Sequence, residues 1–204
     1  VLLSNTANTI AATTLQVGNS GANNGNGSSV LTFGAGTNVL NVDTINVGFG
    51  KLGGTVKFAS QVAASAGTLT LANNAGTGGT NITIGSNNGT STGDTLEGLL
   101  DLRGHDATIT AGTVSLGIAN NTSTGGATGT INFDGGTFTA SALNLGNKAG
   151  AAGIGAGTGI FNQTAGSFTL NSAGSVALAV NTVATGTASG TINLSGGTFT
   201  VASG

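Results

Sequence analysis

The chain contains no cysteine, proline, methionine, tryptophan or tyrosine, and only 5% of its residues are charged. Each of these gaps excludes something. Without cysteine there is neither a disulfide framework nor a thiolate metal site. Four Lys and Arg together, against six Asp and Glu, cannot form the basic footprint that nucleic acid requires. So few charges also leave surface helices without their usual salt-bridged faces. No apolar run approaches the about 20 residues of a membrane-spanning helix. A single histidine, His105, provides no second imidazole for a metal triad.

What remains is glycine, 39 residues of it, with Asn, Thr, Ser and Ala, and Val, Ile, Leu and Phe distributed among them. The mean hydropathy of +0.28 sets the chain apart from disordered segments, which are polar, charged and rich in proline. The apolar residues follow a pattern that recurs about every 30 residues. Its clearest copy is GTINFDGGTFTASALNLG from Gly129, followed by GIFNQTAGSFTL from Gly159 and GTINLSGGTFTV from Gly190. A closing tag, apolar-polar-apolar-Gly, ends at Gly18, Gly48, Gly85, Gly117 and Gly146, with spacings of 30, 37, 32 and 29. A period of this size carried by strand-like alternation marks a solenoid.

Within one repeat the alternation has period two, so the elements are strands. Ile131 and Phe133 face one way and Asn132 the other; Phe138 is inward between Thr137 and Thr139; Leu143 and Leu145 point inward. Asp134-Gly135-Gly136 and Ala140-Ser141-Ala142 make corners. The expected fold is therefore all-β: a parallel β-helix of about seven coils of about 30 residues, three short strands per coil, as one continuous domain over 1–204. Coils begin near Val1, Ser29, Gly54, Gly98, Gly129, Gly159 and Gly190, giving a rod about 30 Å long at about 4.8 Å per coil. Insertions fall at Ala59 to Ala66 and Arg103 to Thr108. An ungapped overlay of Val1 to Gly18 on the Gly129 copy places Leu3, Ile10, Leu15 and Val17 over Ile131, Phe138, Leu143 and Leu145. The core is expected to stack Phe138, Phe168 and Phe199, continued by Ile109 and Leu69. Gln163 and Asn5 fall where Phe133 points inward, and the strand is expected to end one residue early there.

Outside, the pattern predicts a T-x-T ladder with one rung per coil: Thr68 and Thr70, Thr108 and Thr110, Thr137 and Thr139, Ser167 and Thr169, Thr198 and Thr200. An amide ladder of Asn132, Asn162 and Asn193 is expected beside it. Register also predicts two cross-coil ion pairs, Lys57 with Asp101 and Arg103 with Asp134. His105, on an inserted corner, is expected to be a solvated side chain. The Gly-rich loops lack the Lys-Thr and helix of a phosphate cradle. The acidic residues match neither calcium-binding nonapeptides nor an EF-hand.

The string G-T-[IFL]-N-x-x-G-G-T-[FV]-T, followed by L-x-L-G and a Gly/Ala/Asn loop, resembles the β-strand repeats of bacterial autotransporter passengers and related giant surface and adhesin proteins. The resemblance implies a right-handed β-helix, export to the bacterial cell surface, and an adhesive or structural role. On that basis the chain is expected to be a non-catalytic extracellular rod without a cofactor. Its partners would be a glycan or surface receptor, more of the same chain, or copies of itself stacked end to end. Two other readings stand beside it. The T-x-T rows resemble the face of ice-binding β-solenoids. The cluster Glu97, Asp101, Arg103, His105 and Asp106 has the residue types of a polysaccharide lyase or hydrolase.

Overall fold

The computed structural model describes residues 1–20, 27–62, 65–88, 95–120, 124–149 and 153–202, leaving aside the side chains of 172 and 173. The chain is all-β, a parallel solenoid of about six turns. Coil one contributes β1 (Ala7–Asn19), and coil two β2 (Ser28–Phe33) and β3 (Thr37–Phe49). Coil three has β4 (Gly53–Phe58), β5 (Thr68–Ala72) and β6 (Thr80–Asn87). Coils four and five carry β7 (Leu96–Asp101), β8 (Asp106–Ala119), β9 (Ala127–Phe133) and β10 (Gly136–Lys148). Then come β11 (Gly157–Gln163), β12 (Ser167–Asn181), β13 (Ala188–Leu194) and β14 (Thr198–Val201). One six-stranded sheet runs β2-β4-β7-β9-β11-β13. The other runs β1-β3-β5-β8-β10-β12-β14, with β6 also between β3 and β8.

The expected second and third strands of each coil are usually one long bent strand of 13 to 15 residues. In β10 the buried positions run Phe138, Ala140, then Leu143, Leu145: the parity changes across Ser141 and Ala142, which both turn outward and make the corner. Only in coil three do residues 73–79 split the strand in two.

Whereas Val1 lies beside Leu31 rather than Ser29, the coil starts read from sequence are in register from the second coil on, Ser29–Gly54–Gly98–Gly129–Gly159–Gly190. Their glycines have a steric cause. A Cβ on Gly129 would lie 2.0 Å from the Ile84 carbonyl oxygen and 2.5 Å from the Gly117 nitrogen. Gly54, Gly98 and Gly159 meet the same two kinds of backbone atom, at 2.0 to 2.6 Å. The opposing residues are those of the closing tag. Gly18, Gly48, Gly85, Gly117 and Gly146 all turn the chain at φ between 67° and 75°, the left-handed region that glycine enters without strain. Each is roofed by the first strand of a later coil, so that a Cβ would lie 1.9 to 2.7 Å from a carbonyl oxygen. In β12 the equivalent corner is Ala179, at φ 57°, the one non-glycine residue with positive φ among those described.

The core column is longer than expected: Ile10, Leu40, Leu71, Ile109, Phe138, Phe168 and Phe199 lie in line through all seven coils. Leu71, not Leu69, stands beside Ile109, and Leu69 faces Ala107. The expected register is two residues out because Thr68-Leu69-Thr70-Leu71 looks the same after a slip of two, which leaves every side chain on its own face. The buried side chain of Asn38 donates to the carbonyls of Gly34, Gly36 and Thr68, and so ties β5 to β3 of the preceding coil. Leu3 is displaced in the same way, beside Phe33 rather than in the Ile131 row, because the Leu3 and Thr32 amides fix Leu2 against Thr32. Ile10, Leu15 and Val17 sit in the Phe138, Leu143 and Leu145 rows as expected.

Phe168 stacks on Phe199 at 4.7 Å and meets Phe138 at 5.3 Å, while Phe161 from the other sheet closes on all three at 5.0 to 6.3 Å. Gln163 does not end its strand early. It is the last residue of β11, lies inward beside Phe133, and its amide donates to the Gly166 and Thr198 carbonyls. Its buried Oε1 accepts no hydrogen bond. Asn5 lies outside the strands, and its side chain accepts the Ala35 amide.

The corner geometry predicts that Ala179→Gly raises stability by about 1 kcal/mol, the cost of holding alanine at positive φ. The denaturant midpoint should move upward with an unchanged slope.

Candidate functional site

The outward rows lie on the first half of the larger sheet, and the structure orders them as two columns. The first column is Thr70, Thr108, Thr137, Ser167 and Thr198, in register over five coils. The second is Thr110, Thr139, Thr169 and Thr200, in register over four. Thr110 is half-buried at one end of the second column, and Thr200 is exposed at the other. The expected fifth rung is therefore not in place. Thr70 stands beside Thr108 and not beside Thr110, while Thr68 lies one place outward between Thr37 and Asp106. The slip of two at coil three that displaces Leu69 displaces these threonines with it. Several hydroxyls are already engaged with the protein: Thr139 donates to the Ile109 carbonyl at 3.2 Å and Thr198 to the Ser167 hydroxyl at 3.0 Å.

The amide ladder forms on the smaller sheet. Asn193 donates to Asn162 at 2.7 Å, and Asn162 to Asn132 at 2.8 Å. Asn132 in turn donates to Asp101, the next residue in the row, so every amide points toward one terminal carboxylate. A second, shorter ladder joins Asn8 to Asn38 at 2.8 Å.

The charged residues pair differently from the expectation. Lys57 does stand beside Asp101 in register, but the Asp101 carboxylate is held by Arg103 of its own coil, through Nε at 2.8 Å and a terminal nitrogen at 2.6 Å. In this ion pair the carboxylate is buried and the guanidinium side chain half-exposed. Asp134 accepts the backbone amide of Gly104, at 2.9 and 2.8 Å, rather than the guanidinium. The cause is the turn after Leu102. It folds Arg103 back over the residue two places before it and presents the next amide to the following coil. Burial raises the Asp101 pKa, but the side-chain and backbone hydrogen bonds of Arg103, its charge, and the Asn132 amide outweigh it. The carboxyl is held below its ordinary 3.8. The Asp101 hydrogen bond, opposed by a smaller burial effect, raises the Arg103 pKa in turn.

His105 is not solvated. It is 5% exposed and lies face to face on Phe58, with centroids 3.7 Å apart and planes at 12°. It thus extends the aromatic column of Phe33 and Phe58, a placement the sequence signalled only by putting an imidazole next to an apolar coil. Beside it opens a groove of about 470 Å³ lined by Ser65, Thr68, Asp106 and Asp134 among others. Lys148, unremarked in the sequence, is fully buried at the end of β10, and burial pushes its pKa down. Glu97 lies on β7, where its backbone carbonyl roofs the Gly48 corner. Among the described residues no group of three or more His, Cys, Asp or Glu could hold a metal ion, and no helix is long and apolar enough to cross a membrane.

The Asp101 stabilisation is complete above about pH 4, where the unfolded carboxyl is also ionised, and is lost as pH falls through the lowered folded value. Asp101→Asn should therefore cost about 1–3 kcal/mol at pH 7 and flatten the loss of stability as pH falls below about 4. Denaturant midpoints measured at each pH check both. Comparison with protein-family models, curated proteins and solved structures finds no match for this chain.

Proposed function

We propose that this chain is a non-catalytic, extracellular structural and adhesive rod, of the kind its resemblance to autotransporter passenger repeats implies. The observation that carries the reading is the commitment of its outward side chains. Small polar groups line the faces in rows along the axis and bond to the neighbouring coil in ladders such as that from Asn193 to Asp101. The carboxylates are absorbed as well, Asp101 by Arg103 of its own coil and Asp134 by the Gly104 amide of the preceding coil. Such a surface is neutral, hydrated and stiff along the rod, and it offers many equivalent hydroxyl and amide groups to a glycan or a surface. The last coil leaves inward apolar residues uncovered, Leu194 at 52% and Val201 at 54% exposure. An added coil, from the same chain or a second copy, would cover them.

Antibodies raised against the folded chain should label intact cells of its source, and protease treatment of those cells should remove the label. An epitope reached only after lysis would contradict the reading.

A second reading has its own support: the paired threonine columns from Thr108 and Thr110 to Thr198 and Thr200, in register over four coils, with rungs about 4.8 Å apart. On that reading the face orders water as an ice-binding surface. Thermal hysteresis should then be measurable in the purified protein and vanish in the Thr139→Lys, Thr169→Lys double variant. A parent protein with no hysteresis ends this reading.

A further inference from the structure

His105 is the chain's one histidine, and its two ring nitrogens face two different backbone carbonyls. Nε2 lies 2.7 Å from the Ser60 oxygen and Nδ1 lies 3.1 Å from the Gly67 oxygen. A carbonyl oxygen can only accept. A neutral imidazole carries one N–H and one lone pair, so it satisfies one of these carbonyls and turns its lone pair on the other. The imidazolium carries two N–H groups and satisfies both.

The two carbonyls flank the insertion of coil three. Ser60 follows β4 and Gly67 precedes β5, so a single ring from coil four joins the insertion's two ends. Neighbouring contacts hold the same junction: the Ser65 amide donates to the Gly104 carbonyl at 3.1 Å, and the Gly104 amide donates to Asp134. The ring is fixed by its stack on Phe58 and has little freedom to move off one carbonyl and keep the other.

The charged groups near the ring stand on its own coil and the next. On its own coil stand Asp106, adjacent in sequence, and Arg103, whose guanidinium is bound to Asp101. On the following coil Asp134 lines the same groove as the ring. From the preceding coil the ring meets Phe58, Ser60 and Gly67, with no charged side chain; Lys57 lies in the outward row beside Asp101.

We propose that His105 is a proton-operated latch. As the imidazolium it fastens the coil-three insertion to coil four, and on losing a proton it releases one end. A buried carbonyl that has lost its donor is costly, so the junction loosens as the ring deprotonates with rising pH. The latch is independent of what the rod binds, since the ring bonds to none of the Thr or Asn rows.

The test follows ring and junction in one sample. Long-range ¹H–¹⁵N spectra of the single histidine report how many of its nitrogens are protonated. Amide exchange at Ser65, bonded to the Gly104 carbonyl of coil four, reports the junction. Exchange at Ala59 and Thr68, bonded to Phe33 and Gly36 of coil two, reports the two ends of the insertion. Corrected for intrinsic rate, the protection of these three amides should fall about tenfold or more as the second ring proton leaves, while amides of β9 and β11 stay protected. In His105→Gln the pH dependence should vanish. Two results overturn the proposal: a ring that holds one N–H throughout the folded range, or one that loses its second proton with no change in protection. Should His105→Gln fail to fold, the wild-type titration decides alone.

Discussion

The structure depends on a backbone crossing repeated once per coil. Where the first strand of one coil passes the closing corner of another, the two main chains come so close that neither has room for a Cβ. The glycines that open each repeat and those that close it are two halves of this contact. The closing glycine carries a second requirement, a positive φ that turns the strand. Together these make the 30-residue period a physical unit: the distance along the chain from one crossing to the next.

Once the crossings fix the coils, the rest follows from stacking. A single coil has no core of its own; each inward residue is buried by the one above and the one below. The column from Ile10 to Phe199 shows the consequence, with aliphatic residues in the early coils and the aromatic cluster of Phe138, Phe161, Phe168 and Phe199 in the later ones. Polar residues obey the same logic. Asn132, Asn162 and Asn193 satisfy one another, and the run ends on a carboxylate that can only accept. Where polar groups enter the interior they take over backbone carbonyls, as Asn38, Gln163 and His105 do.

Much of this was legible in the sequence because period two and period 30 are both strong signals. The coil starts from the second coil on, the inward columns of the later coils, and the Thr and Asn rows from coil four onward came directly from alternation. Register across coils three and four did not, because Thr68-Leu69-Thr70-Leu71 is degenerate under a slip of two. Alternation alone therefore set Thr70 beside Thr110, where the structure pairs it with Thr108. The ion pairs were half legible. Lys57 is beside Asp101, but a local turn gave Asp101 to Arg103, and turn geometry leaves little trace in alternation. His105 was read as solvated because it lies in an insertion; its burial depends on the face of Phe58 on the preceding coil, a contact 47 residues away in sequence.

The central claim is that main-chain contact at the crossings sets the stacking. Gly129 tests it most directly, because its φ is not in the left-handed region and its need for glycine is steric alone. The measurement is the unfolding free energy of Gly129→Ala by denaturant titration. A loss of more than about 2 kcal/mol, or failure to fold, is the predicted result, since the added methyl must displace two backbone atoms of other coils. A change within about 0.5 kcal/mol of the parent would contradict the account, and the coils would then have to be held in register by their side chains alone.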